Sequence, residues 1–345
     1  MKIAELKEKQ RVEGHYLVTK KEVAVSKAGK PYLIVRLMDS TGEAESRGWD
    51  RADDLAERFD RDDVVNVRGT AVEYQGAIQI NISSIDRLPE DAYSLRDFLP
   101  SSERSPEEMV AEFDSIVDSM EDPHIKELLK NLFAEGGEVR ELYMTAPAAM
   151  SMHHAFLGGL LEHVLSVCSL AGFMASHYEN INRDLLMAGV ILHDIGKIYE
   201  LSYKRSFNYT DEGKLLGHIV IGSEMIGKAA GEIKNFPEEK LVLLKHMILS
   251  HHGILEYGSP KRPKFTEAII LSFIDDLDAK VQASQKWVGN DTSESNWTAR
   301  SWMFERPLFK GFPGGKENVP APTKKEEEKQ ETAPTKKDKD DLDLF

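Results

Sequence analysis

A chain of 345 residues, 41% apolar, 30% charged and with a net charge of −15, is long enough for two domains with sizeable cores, and its acidic balance excludes a protein coated in positive charge. One cysteine, Cys168, excludes a disulfide-stapled secreted fold. The charged start MKIAELKEKQR lacks the apolar segment of a signal peptide, and no apolar run approaches the roughly 18 residues of a membrane span, so a cytoplasmic protein with no membrane partner is expected.

Residues 1–36 hold nine Lys/Arg against four Glu, a local +5 in an acidic chain. The runs VEGHYLV, YLIVRLMD, EAESRGW, VVNVRGTAVEY and AIQINISSI are short, partly alternating and rich in Val, Ile and Tyr, and they read as strands. A helical pattern, DRADDLAERFDRD (50–62), interrupts them. Three strands, a helix and two strands predict a small OB-type barrel over residues 1–90. Such barrels bind single strands by stacking bases on aromatics above a basic groove. The candidates are Tyr16, Tyr32, Trp49 and Tyr74, with Lys20, Lys21, Lys27, Lys30, Arg36 and Arg47 near them. Trp49, at a strand end among charged residues, leads; for any one of the four aromatics, a place in the barrel core is the competing role.

Residues 91–150 predict a helical connector, with helices near 106–119, 123–134 and 137–145. Ser105-Pro106-Glu107-Glu108 is a capping box, and Asp122-Pro123 repeats the cap-then-proline start. Residues 151–310 predict an all-α domain, broken at 196–209, 237 and 253–263 and without strong strand candidates. From 311 to 345 the chain is Lys, Glu, Asp, Pro and Thr with few apolar residues, and a disordered tail is expected.

Nine of the eleven histidines fall between His153 and His252, inside the most acidic stretch. His163, His193-Asp194, His218, His251-His252 and Asp275 are spread over five helical segments with gaps of 30, 25, 33 and 24 residues. Imidazole and carboxylate without nearby cysteine suit manganese, iron, cobalt or zinc, and disfavour a thiolate site. Gly196 follows His193-Asp194 and permits a sharp turn, and Lys197 places a cation where an anionic substrate would sit. The order H…HD…H…H…D, with ILHDIGK at its centre, resembles the HD superfamily of metal-dependent phosphohydrolases. MHHAFLGGLLEHV, YTDEGKLLGHIVIG, LKHMILSHHGILEYGSPKRP and EAIILSFIDDLDAKV further resemble the YhaM-type 3′→5′ exoribonucleases, which also place an OB fold before an HD domain.

The resemblance implies metal ligands at His163, His193, Asp194, His218 and Asp275, and at His251 or His252, leaving open which of the two binds. Asp278 is placed to orient a ligand histidine, and Asp276 to face solvent. Two divalent ions, manganese first, are expected, with Asp194 and Lys197 in the catalytic machinery. Lys204 and Arg205 are candidates to grip the next phosphate, and His153, His154 and His246 to line the substrate path. The activity implied is metal-dependent 3′→5′ hydrolysis of single-stranded RNA, with single-stranded DNA as a further substrate. The alternatives are an HD phosphohydrolase acting on a cyclic dinucleotide, dNTP or alarmone, and a binding protein with a vestigial site. The end DLDLF resembles the pentapeptide that docks on bacterial sliding clamps through residues equivalent to Leu342, Leu344 and Phe345, although the usual leading Gln is Asp341. An oligomer is compatible with all of these readings.

Overall fold

The computed structural model describes residues 1–94, 97–99, 102, 104–149, 156–202 and 208–312. Five strands close a barrel in the order β1-β2-β3-β5-β4: β1 (Arg11–Val25), β2 (Pro31–Asp39), β3 (Gly42–Gly48), β4 (Val64–Tyr74) and β5 (Ala77–Arg87). All neighbours are antiparallel except β3 and β5, whose parallel pairing closes the circle. The expected helix between β3 and β4 shrinks to α1 (Ala52–Ala56), which plugs the barrel with Ala52 and Leu55. Val12, Leu33, Val35, Leu37, Val65, Val67 and Ile80 fill the interior, following the period-2 alternation of their strands.

Tyr16 belongs to that interior. It is fully buried, its hydroxyl donates to the Met1 carbonyl at 3.0 Å, and burial, then Asp39, push its pKa up to about 12. It is a core residue and cannot stack on a base. Lys21 is also removed from the expected groove: its ammonium donates to Phe59 O at 2.5 Å and pairs with Asp60 at 3.1 Å, beside the Phe59 ring.

The connector helices α2 (Pro106–Asp118), α3 (Pro123–Leu132) and α4 (Glu138–Thr145) start as the caps predict. Ser105 Oγ accepts the Glu108 N–H, and Asp122 Oδ1 accepts those of His124 and Ile125. They pack on α5 (Gly159–His177), α6 (Arg183–Leu192), α7 (Lys197–Glu200), α8 (Asp211–Gly231), α9 (Glu238–Ser250) and α10 (Thr266–Asn290) around one apolar core. Tyr143, fully buried in it, donates to the Ile191 carbonyl at 2.7 Å and so ties α4 to α6. Leu17 and Val64 leave the barrel interior to pack with Phe98 and Leu99, and Leu157 joins that cluster to the helical core.

Among the described residues α5 alone is long and apolar enough to cross a membrane, which corrects the expectation that no run approaches that length. It is the central helix of the helical core, with Leu160, Leu161, Val164 and Val167 buried, and that position accounts for its composition. A two-residue ribbon, β6 (Leu201–Ser202) with β7 (Asn208–Tyr209), lies in the 196–209 break, too short to show any period in sequence. From Trp287 onward the chain forms a separate small unit, held by antiparallel bridges between Trp297 and Phe309 and between Ser301 and Arg306. The tail beyond 312, with Leu342, Leu344 and Phe345, lies outside the described residues, as do His153, His154, Lys204 and Arg205.

Candidate metal centre and single-strand face

The helical core brings His163 from α5, His193 and Asp194 after α6, His218 from α8, His251 and His252 after α9, and Asp275 from α10 to one point. Asp194 stands at its middle. Its Oδ2 faces His193 Nε2 at 3.3 Å and His163 Nε2 at 4.0 Å, and its Oδ1 faces His218 Nε2 at 3.4 Å and His251 Nε2 at 3.7 Å. Asp275 Oδ1 closes the first half, 3.2 Å from His163 Nε2 and 3.7 Å from His193 Nε2. Two groups of potential ligands result, His163-His193-Asp194 and His218-His251-His252. Both histidines of the pair left open by sequence face the site, with ring centroids 4.1 Å apart.

The imidazoles are held from behind. His193 and His251 place Nδ1 at 2.7 and 2.8 Å from the carbonyls of Val190 and Ile248, three residues back on their own helices. His252 Nδ1 lies 2.7 Å from the Tyr257 carbonyl. A carbonyl only accepts, so each of these Nδ1 atoms carries a proton and it is Nε2 that points into the site. His163 Nδ1 meets Asp278 Oδ2 at 3.0 Å, while Asp278 Oδ1 accepts from Ser166 at 2.6 Å. Asp275 and Asp278 share a face of α10 because they are three residues apart. Asp276 turns away and pairs with Lys280 at 2.6 Å.

His218 has a support that sequence reasoning missed. Glu200, at the end of α7, accepts from the His218 backbone N–H at 3.0 Å and meets His218 Nδ1 at 3.1 Å with the same oxygen, Oε1. That N–H is available because α8 is interrupted at Gly217, whose φ of 75° and ψ of 156° are not helical. Gly196, expected to make a sharp turn, is in ordinary helical conformation and serves close approach instead. A Cβ there would stand 2.0 Å from the His218 carbonyl oxygen.

The buried atoms His193 Nε2, Asp194 Oδ1, His218 Nε2 and His251 Nε2 have no hydrogen-bond partner among the described residues. Four convergent polar atoms left unsatisfied are costly in a core unless something binds them. Ligand atoms about 2.1 Å from a common cation stand roughly 3–3.5 Å apart, close to the spacings around Asp194. The donor set therefore fits divalent metal. Burial opposes ionisation of Asp194, but Lys197 and His193 hold its carboxyl well below the ordinary range, and His163 and His193 do the same for Asp275. Burial, then its histidine neighbours, push His251 well below its usual value, so it is a neutral donor. Lys197, expected to face substrate, is nearly buried and donates to Asp194 Oδ2 at 2.6 Å. Of the remaining candidates, His246 accepts the Lys264 N–H at 3.0 Å and rests against Phe265, pinning a loop.

On the barrel, Tyr32 and Trp49 stack at 4.9 Å and 18° on the outer face. The Arg47 guanidinium lies within 5.5–5.8 Å of the Tyr32, Trp49 and Tyr74 rings, and Trp49 Nε1 donates to Asn81 at 3.2 Å. Trp49 and Tyr74 remain about half exposed, at 48% and 49%. Lys20 and Arg36 are cross-strand partners on β1 and β2, half-exposed beside Glu22 and Glu43. Lys30 is exposed on the turn entering β2.

Comparison with known proteins agrees with both parts. Residues 160–280 match the family model of the HD domain, and residues 17–88 match that of an OB-fold nucleic acid binding domain. Similar solved structures include the second OB-fold domain of replication protein A from Methanococcus maripaludis, at 20% identity over 27% of this chain and 98% of that one, TM-score 0.22. PriB from Ralstonia solanacearum is 15% identical over 23% of this chain and 98% of that one, TM-score 0.21. The mitochondrial single-stranded DNA binding protein Rim1 from S. cerevisiae is 11% identical over 24% and 97%, TM-score 0.21. The closed five-stranded barrel is thus of OB type, and the helical region that follows it contains a segment matching the HD domain.

Proposed function

We propose that this protein is a metal-dependent 3′→5′ exonuclease of the YhaM type, acting on single-stranded RNA and also on single-stranded DNA. The observation that carries the reading is Asp194, which gives one oxygen to each of two ligand groups in a chain that also carries a nucleic-acid-binding fold. His163, His193, Asp194 and Asp275 would hold one divalent ion, and His218, His251, His252 and Asp194 a second, manganese being the expected metal. Divalent ions so held supply positive charge to the phosphoryl oxygens and a deprotonated water near neutral pH.

The side chains around them do the rest. Lys197 balances the Asp194 carboxylate, so the charge at the centre of the site is partly offset before any phosphate arrives. Asp278 and Glu200 fix the orientation of His163 and His218, and the backbone carbonyls fix His193, His251 and His252. Tyr32, Trp49 and Tyr74 offer flat surfaces for bases, and Arg47 and Arg36 offer charge for the backbone. The barrel favours a polymer over a small nucleotide, which needs no stacking face of this kind.

The test is metal analysis of purified protein together with hydrolysis of 5′-labelled single-stranded RNA and DNA, with and without chelator. Chelator-sensitive shortening from the 3′ end is expected. Metal-loaded protein that leaves both polymers intact while cleaving a dinucleotide or nucleotide would overturn the reading.

A further inference from the structure

The small unit after α10 is a built scaffold that turns its aromatic residues outward. Thr298 and Ser301 are buried, and Thr298 Oγ1 accepts from Leu308 N–H at 3.0 Å and from Trp287 Nε1 at 3.2 Å. Asp291 accepts from Lys310 Nζ at 2.8 Å, from the Ser293 N–H and from the Ala299 N–H, and Lys310 also donates to the Ser293 carbonyl. Backbone bonds from Thr298 to Leu308, from Ser301 to Arg306 and from Lys310 to Asn296 complete a hairpin. Its polar groups thus hold its own backbone in place.

Outside that frame stand Trp297, Trp302, Phe309 and Phe312, at 54, 68, 42 and 76% exposure. Trp297 and Phe309 lie directly opposite each other with ring centroids 5.1 Å apart, and Phe312 extends the row 4.9 Å beyond Phe309. Large aromatics normally supply a core, and a contiguous row of them on a rigid surface marks a contact site. Charge selects the partner. Residues 287–312 carry Arg300, Arg306 and Lys310 against Asp291, Glu294 and Glu305, a neutral segment in a chain of −15. Lys310 is engaged by Asp291, whereas Arg300 and Arg306 are exposed and form no ion pair among the described residues. The hairpin thus carries exposed aromatic rings and unpaired guanidinium groups on one short segment, the residue types that meet at the Tyr32-Trp49-Arg47 face.

We propose that this hairpin is a second contact for single-stranded nucleic acid, in which Trp297, Phe309 and Phe312 stack bases and Arg300 and Arg306 take phosphates. The proposal rests on the reading of the protein as a single-strand hydrolase but uses none of the residues that reading uses. The test is fluorescence anisotropy of labelled 10- and 30-nucleotide dT and U oligomers with the full-length protein in chelator, which stops hydrolysis. Trp297→Ala/Phe309→Ala should weaken binding of the 30-mers about tenfold or more. Arg300→Gln/Arg306→Gln should lower the slope of log affinity against log salt by about 1.4, at ~0.7 per lost phosphate contact on a single strand.

The arginine pair is a surface change and serves even where the aromatic pair impairs folding, which thermal unfolding reports. Trp49→Ala is assayed alongside, so that failure of the barrel face appears as an unchanged Trp49→Ala affinity while the hairpin variants still weaken. Wild-type affinity and salt slope in folded hairpin variants would overturn the proposal. So would a hairpin variant that alters self-association in sedimentation while binding oligomers normally, since the row would then be a protein interface.

Discussion

Asp194 has one oxygen in each half of the histidine cluster, so no other single side chain affects both halves equally. Asp194→Ala is expected to strip bound metal and to lower turnover about 10²–10⁴-fold, as loss of a catalytic group does; metal content and hydrolysis rate check it. Glu200 acts one step back. Glu200→Gln keeps the size of the side chain but weakens the hold on His218, and metal affinity should fall roughly 10–100-fold by competition against an indicator dye. His193 carries the pH dependence. Burial opposes its charge, but Asp194 and Asp275 outweigh that and raise its pKa to about 10 in the metal-free protein. A raised folded-state pKa stabilises fully below the unfolded value of about 6.5, and that stabilisation is lost as pH rises toward 10. A metal ligand must instead be deprotonated, so metal affinity rises over the same window. Melting temperatures from pH 6.5 to 9.5 should therefore fall for chelator-treated protein while the increment conferred by metal grows; parallel curves would show that His193 is not displaced from its proton.

At the scale of elements, the junction of α7 with α8 sets the site. Gly196 lets the two backbones meet: a Cβ there would stand 2.0 Å from the His218 carbonyl oxygen and 2.7 Å from the backbone nitrogen of Gly222, one turn further along α8. Gly196→Ala must push α8 away and carry His218 off Glu200. A loss of about 1–3 kcal/mol in stability is expected from such overpacking, together with weakened metal binding. Gly231→Ala, at the end of the same helix with nothing within 4 Å, is the matched control and should be neutral or slightly stabilising. Denaturant unfolding of the two variants separates a local collision from a general cost of replacing glycine.

Across the whole molecule, the barrel face and the metal centre involve separate residues, and their contributions should come apart. Arg47→Ala/Trp49→Ala removes the stack and its cation while leaving the barrel interior, to which neither residue contributes. Binding of long single strands should weaken by roughly tenfold or more, whereas hydrolysis of bis-p-nitrophenyl phosphate, which needs no stacking, should stay at the wild-type rate. Equal losses in both assays would show that the face acts through the fold of the catalytic domain.

Much of this was legible in the sequence because the signals are local or chemically distinctive. Strand alternation and turn glycines marked the barrel, Ser105 and Asp122 marked helix starts, and histidine and aspartate in a fixed order pointed to metal before any geometry was known. What sequence left undecided depends on elements far apart in the chain. Tyr16, Leu17 and Val18 are buried in succession, because β1 bends where Leu17 leaves the barrel interior to meet Phe98 and Leu99, and alternation cannot show that. Glu200 became a support for His218 only through the kink at Gly217, and Lys197 was drawn to Asp194 by its burial beside that carboxylate. His251 and His252 both face the site because α9 ends there, with Gly253 at φ 78° turning the chain away. Sequence by itself determined which residue types could hold a metal and which segments would be strands or helices, since those follow from side-chain chemistry and backbone periodicity. Only the tertiary structure decided which atoms face one another, because that depends on how helices distant in sequence pack at a few close-contact glycines.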